Sequence, residues 1–76
     1  MKVLANDGIS PSAVELLQRA GIEIIENKVA QEQLANFINE NGIDTLLVRS
    51  ATKVRKDLID ACPNLKIIGR GGVGLD

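Results

Sequence analysis

The chain has 76 residues, 45% hydrophobic and 25% charged, with a net charge of −1. That length allows one small domain or a piece of a larger one, and the composition excludes a disordered chain. A single cysteine and no histidine exclude an internal disulfide, Cys/His metal clusters and the commonest general base near neutral pH.

Val3, Leu4 and Ala5 form a short strand that ends at the turn signal Asn6-Asp7-Gly8. Ser10-Pro11 then starts a helix, because the missing N–H of proline costs nothing at the first helical position. Ser12 with Glu15 offers an alternative capping box one turn later. Val14, Leu16, Leu17 and Ala20 make the apolar stripe, and Gly21 is placed to stop the helix. Ile22, Ile24 and Ile25 give a second strand, and Glu23 and Glu26 mark it as an edge.

A second helix is expected over residues 31–41, with Leu34, Phe37 and Ile38 on one face and Gly42 closing it. Thr45-Leu46-Leu47-Val48 is a continuous apolar strand of the kind buried on both faces. Thr52 is expected to cap a third helix in which Val54, Leu58, Ile59 and Ala61 recur at helical spacing, until Pro63 ends it. Cys62 is read as a small hydrophobe near that helix end. Residues 65–68 form the fourth strand and run into Gly69-Arg70-Gly71-Gly72-Val73-Gly74.

The alternation is βαβαβαβ, the signature of an α/β protein with a parallel sheet. An apolar third strand suits the centre and a glutamate-bearing second strand suits the edge. Right-handed crossovers then favour the flavodoxin-like order 2-1-3-4. In that order the chain reverses direction between the first and third strands, so ligands belong beyond the carboxyl ends of those strands. The loops at 6–8, 49–52 and 70–72 meet there, and Arg49 and Arg70 each directly follow or end an apolar strand. A guanidinium fork matches the paired oxygens of carboxylate or phosphate, and glycines let backbone N–H groups approach an anion. Residues 41–76 hold six basic and four acidic side chains, against three and six in residues 1–40, consistent with either an anion site or a solvated surface.

Gly69, Gly71 and Gly74 satisfy G-x-G-x-x-G after a strand. A dinucleotide loop also needs a following helix to receive the pyrophosphate and an acidic residue about 20 positions on. Neither is present here, so the glycines are read as a carboxylate-binding loop or a plain strand-to-loop turn.

Val48-Arg49-Ser50-Ala51-Thr52-Lys53-Val54, followed by residues 63–76 with Gly69-Arg70-Gly71-Gly72-Val73-Gly74-Leu75-Asp76, closely resembles the D-2-hydroxyacid dehydrogenases. Within that family the spacing looks most like the branch that oxidises 3-phospho-D-glycerate. The resemblance covers the whole chain. It implies a flavodoxin-type substrate-binding domain, here truncated, partnered by an NAD-binding Rossmann domain that this chain lacks. It also implies that Arg49 and Ser50 line the substrate cleft, and that amides around Gly71 and Gly72 hold the substrate carboxylate with Arg70 beside them. Val73 falls where the family approaches the nicotinamide of NAD. The family's catalytic arginine, glutamate and histidine lie downstream, so no catalytic residue is assigned here and the chain alone is expected to be inactive.

Two other readings stay open: a receiver-like module, which Asp7 invites but Arg49-Ser50 after the third strand opposes, and a non-enzymatic structural or assembly module. The longest apolar runs fall far short of the roughly 20 residues of a membrane span, and the opening lacks the apolar centre of a signal peptide. The cytoplasm is therefore expected, with no metal, no membrane and no nucleic-acid partner. An uncovered fourth strand points to a homodimer.

Overall fold

A computed structural model describes residues 1–49 and 51–70. Its elements are β1 (Lys2–Ala5), α1 (Pro11–Arg19), β2 (Glu23–Ile25), a 3₁₀ turn (Gln31–Gln33), α2 (Leu34–Asn41), β3 (Thr45–Val48), α3 (Lys56–Ala61) and β4 (Ile67–Arg70). All strand pairs are parallel and their order is β2-β1-β3-β4, as the alternation and the crossover rule predict.

Helix α1 is capped by Ser10, whose hydroxyl accepts from the Ala13 N–H at 3.2 Å, with Pro11 opening the first turn. The Ser12 capping box is thus not the one used. Gly21, at φ 79°, provides the left-handed step that lets the chain leave the helix. Gly42 at φ 64° does the same for α2. Several boundaries differ from expectation: α3 begins at Lys56, leaving Val54 outside it, and β2 at Glu23. The first turn of the second helix is 3₁₀, and β4 begins at Ile67 rather than at residue 65. Its register pairs Ile67 with Thr45, and the Asp44 carbonyl accepts from both the Lys66 and Ile67 N–H groups. The ladder therefore starts where β3 starts, while Leu65 packs against the core before the strand begins.

Side chains alternate across a strand, so the register sorts the faces. Leu4 lies opposite Ile25 and Leu46. That face, together with Val48, is covered by Leu34 and Ile38 of α2 and by Leu58 and Cys62 from α3 and its end. Cys62 is a buried free thiol, and burial pushes its pKa up, as suits a packing residue. Helix α1 packs on β2 at the opposite face and buries no residue completely. At the amino end of the sheet, the Asp44 carboxylate accepts from the Thr45 hydroxyl at 2.8 Å and from the Lys2 N–H at 3.2 Å. The Thr45 bond leads in holding its pKa below the usual range; partial burial opposes it, and the Lys2 amide, the positive N-terminus and Lys66 assist it.

Candidate functional site

The reversal between β1 and β3 opens a cleft of about 420 Å³ at the carboxyl end of the sheet. One wall is Gly8, Ser10 and Ala13, where β1 turns into α1; the other is Leu47, Arg49, Gly69 and Arg70 from β3 and β4. Val48 and Arg70 are register partners, so Arg49 and Arg70 leave adjacent strands within about one residue of each other and line one cavity. Both arginines are exposed, and among the described residues neither guanidinium is ion-paired. The N-terminus of α1 also borders the cleft and adds its positive end, although the Ala13 N–H is already taken by Ser10. A cavity with two unpaired guanidinium groups and a helix N-terminus on its rim is suited to a small dianion.

Gly69 sits within β4, where an added Cβ would come within 2.8 Å of the Leu47 side chain. This first glycine of the G-x-G-x-x-G match therefore lies in a strand ladder beside Leu47, not in a tight turn. Ser50, Gly71, Gly72 and Val73 lie outside the described residues.

Thr52 does not cap α3, whose N-cap is Arg55 without a side-chain bond. It is buried and drawn inward by a carboxylate. The Thr52 hydroxyl donates to Asp7 Oδ1 at 2.6 Å and its N–H to Asp7 Oδ2 at 3.0 Å. Asp7 Oδ2 also accepts from the Arg49 N–H at 2.6 Å, and Lys28 Nζ pairs with Oδ1 at 2.6 Å. Burial pushes the Asp7 pKa up, but the bonds from Lys28, Thr52 and the Arg49 and Thr52 amides outweigh it and leave the carboxyl far below the usual range. Asn6 completes the arrangement. Its Oδ1 accepts from the Val29 N–H at 2.7 Å, and its amide donates to the Val29 carbonyl at 3.1 Å and to Thr52 Oγ1 at 2.9 Å.

Sequence reasoning placed Asn6-Asp7-Gly8 as a turn among the loops at this end of the sheet and weighed Asp7 as a receiver aspartate, but missed this hub. The available signal was position: a carboxylate at the end of a central strand faces the free N–H groups of the loop leaving the neighbouring strand. A second hollow of about 370 Å³ lies between α2 and α3, but Glu32, Asp57, Lys53 and Arg55 line it with charges of both signs.

Ligands of parallel α/β sheets bind at such a switch point, and here two arginines line it. The chain belongs to the family described as D-isomer specific 2-hydroxyacid dehydrogenase, catalytic domain, whose model matches residues 3–76. It is 38% identical to D-3-phosphoglycerate dehydrogenase of Sus scrofa, over 99% of this chain and 14% of that protein. It is 42% identical to hydroxypyruvate reductase of Thermotoga maritima, over 99% of this chain and 24% of that protein. It is 39% identical to D-3-phosphoglycerate dehydrogenase of Archaeoglobus fulgidus, over the whole of this chain and 14% of that protein. The chain thus spans between a seventh and a quarter of these relatives' lengths.

Proposed function

We propose that this chain forms part of the substrate-binding domain of an NAD-dependent D-2-hydroxyacid dehydrogenase, and that the substrate is 3-phospho-D-glycerate. The observation that carries the reading is the pair Arg49 and Arg70 on one cleft at the carboxyl ends of β3 and β4. The D-3-phosphoglycerate dehydrogenases among the relatives favour the phosphorylated acid, which makes the enzyme one of serine biosynthesis. In this reading Arg49 and Arg70 pair with the carboxylate or phosphate oxygens, and the amides near Ser50, Gly71 and Gly72 complete the anion site.

NAD supplies the hydride acceptor for C2 of the hydroxyacid. Gly69 lies within β4, so we assign the cofactor to another part of the enzyme, with only Val73 of this chain near the nicotinamide. No histidine is present to take the hydroxyl proton. The test is NADH formation by the complete dehydrogenase that contains this segment. We expect turnover of 3-phospho-D-glycerate in preference to its L isomer and to unphosphorylated D-hydroxyacids, and none from the 76 residues alone. Equal turnover of D-glycerate removes phosphate recognition from the reading.

We further propose that the chain self-associates as a homodimer in the cytoplasm. Ile67 and Ile68 of edge strand β4 are 47% and 39% exposed, and an apolar edge is a template for pairing with another strand. Sedimentation equilibrium at micromolar concentration should give twice the 8.1 kDa monomer mass; a folded monomer overturns it.

A further inference from the structure

We propose that Asp7 is a positioning residue that sets Arg49 for capture of the anionic substrate, an inference that rests on the role given to Arg49 above. The Asp7 side chain is only 3% exposed, and the next residue, Gly8, lines the same cleft as Arg49. One carboxylate oxygen, Oδ2, receives the N–H groups of Arg49 and Thr52 at 2.6 and 3.0 Å. It therefore ties Arg49 and Thr52 to the end of β1. Oδ1 takes the Thr52 hydroxyl and Lys28 Nζ, each at 2.6 Å. Behind it, Asn6 holds Thr52 and both backbone groups of Val29. Among the described residues no buried side-chain polar atom lacks a partner, so the buried members of the network satisfy one another. Its product is geometry.

Two physical consequences follow for Arg49. With its own N–H bonded, its Cα–Cβ direction is fixed relative to the sheet, and less freedom is lost when the guanidinium meets an anion. A bare carboxylate bonded to the Arg49 N–H would also repel an approaching anion, and the Lys28 ammonium, 60% exposed at 2.6 Å, offsets that charge. Asparagine at position 7 keeps the shape but turns an NH₂ toward donors, so at least one of those tethers is lost.

The test is a double-mutant cycle in the complete dehydrogenase that contains this segment, reading the KM of the hydroxyacid and of NAD. Asp7→Asn should raise the hydroxyacid KM about 10-fold and leave the NAD KM unchanged. On an Arg49→Ala background the same change should raise it no further, because the residue through which Asp7 acts is gone. Equal losses on both backgrounds, a matching rise for NAD, or no effect at all overturns the proposal. Arg49→Ala alone tests the underlying reading: if it leaves the hydroxyacid KM unchanged, the role of Arg49 fails first and Asp7 has nothing to position. Should Asp7→Asn not fold, Thr52→Val replaces it in the cycle, since it removes the hydroxyl and keeps the N–H bond. Its expected effect is about 3-fold, again only with Arg49 present. If neither variant folds, the network serves folding and the positioning role is wrong.

Discussion

On one face of the sheet, Leu34, Ile38, Leu58 and Cys62 close over Leu4, Leu46 and Val48; on the other, α1 buries no residue completely and its Leu16 is 65% exposed. The difference originates in topology. With the order β2-β1-β3-β4, the crossover from β1 to β2 runs in one direction across the sheet and the two later ones run in the other. Right-handed connections then place one helix on one face and two on the opposite face. Stability is concentrated where two helices converge. The cleft opens beside the single helix, where fewer side chains compete for the space. Close packing is thus concentrated on the two-helix face, while the cleft lies on the α1 side.

The largest effect that sharpens this comparison is a pair of truncations. Leu34→Ala removes a side chain with 0% exposure and should cost about 2–5 kcal/mol, enough to unfold a domain of this size. Leu16→Ala on the α1 face should cost no more than about 0.5 kcal/mol. Urea unfolding followed by circular dichroism checks both, and comparable losses would break the distinction between the faces.

A smaller effect comes from pH at the loop network. Asp7 has its pKa depressed in the folded state, against about 3.9 for an unfolded aspartate. A depressed carboxylate stabilises the fold above the unfolded value, and that contribution is lost as pH falls through the folded one. Asp7→Asn should therefore be less stable than the parent at pH 7, with a gap that narrows progressively below about pH 4. A gap that stays constant from pH 7 to pH 3 rules out the charge as its source.

The sequence was most legible where one period dominates. The apolar run at 45–48 identified β3 as central, and the glutamates around Ile24 identified β2 as an edge; with handedness these were enough for the strand order. Glycines 21 and 42 marked helix ends because only a left-handed step leaves a helix there cheaply. The β4 start was misplaced because Leu65 and Lys66 have strand-like composition, while the ladder is set by where β3 begins, with Thr45 paired to Ile67. Thr52 was misassigned for a related reason. A threonine before a helical pattern reads as a cap, but a buried carboxylate 45 positions away competes for both its hydroxyl and its N–H. That Arg49 and Arg70 come to line one cleft was legible because each follows or ends an apolar strand. The aspartate that tethers one of them was not, because its partners are backbone groups of a distant loop, and backbone donors leave no trace in composition.

The central claim is that the cleft at the carboxyl ends of β3 and β4 binds an anionic hydroxyacid through Arg49 and Arg70. Steady-state kinetics of Arg49→Ala in the complete dehydrogenase tests it most directly, with substrate and NAD varied separately. A charge-assisted hydrogen bond contributes about 1.5–3 kcal/mol, so the substrate KM should rise roughly 10- to 150-fold, with the KM for NAD unchanged. An unchanged substrate KM, or a rise confined to NAD, contradicts the account.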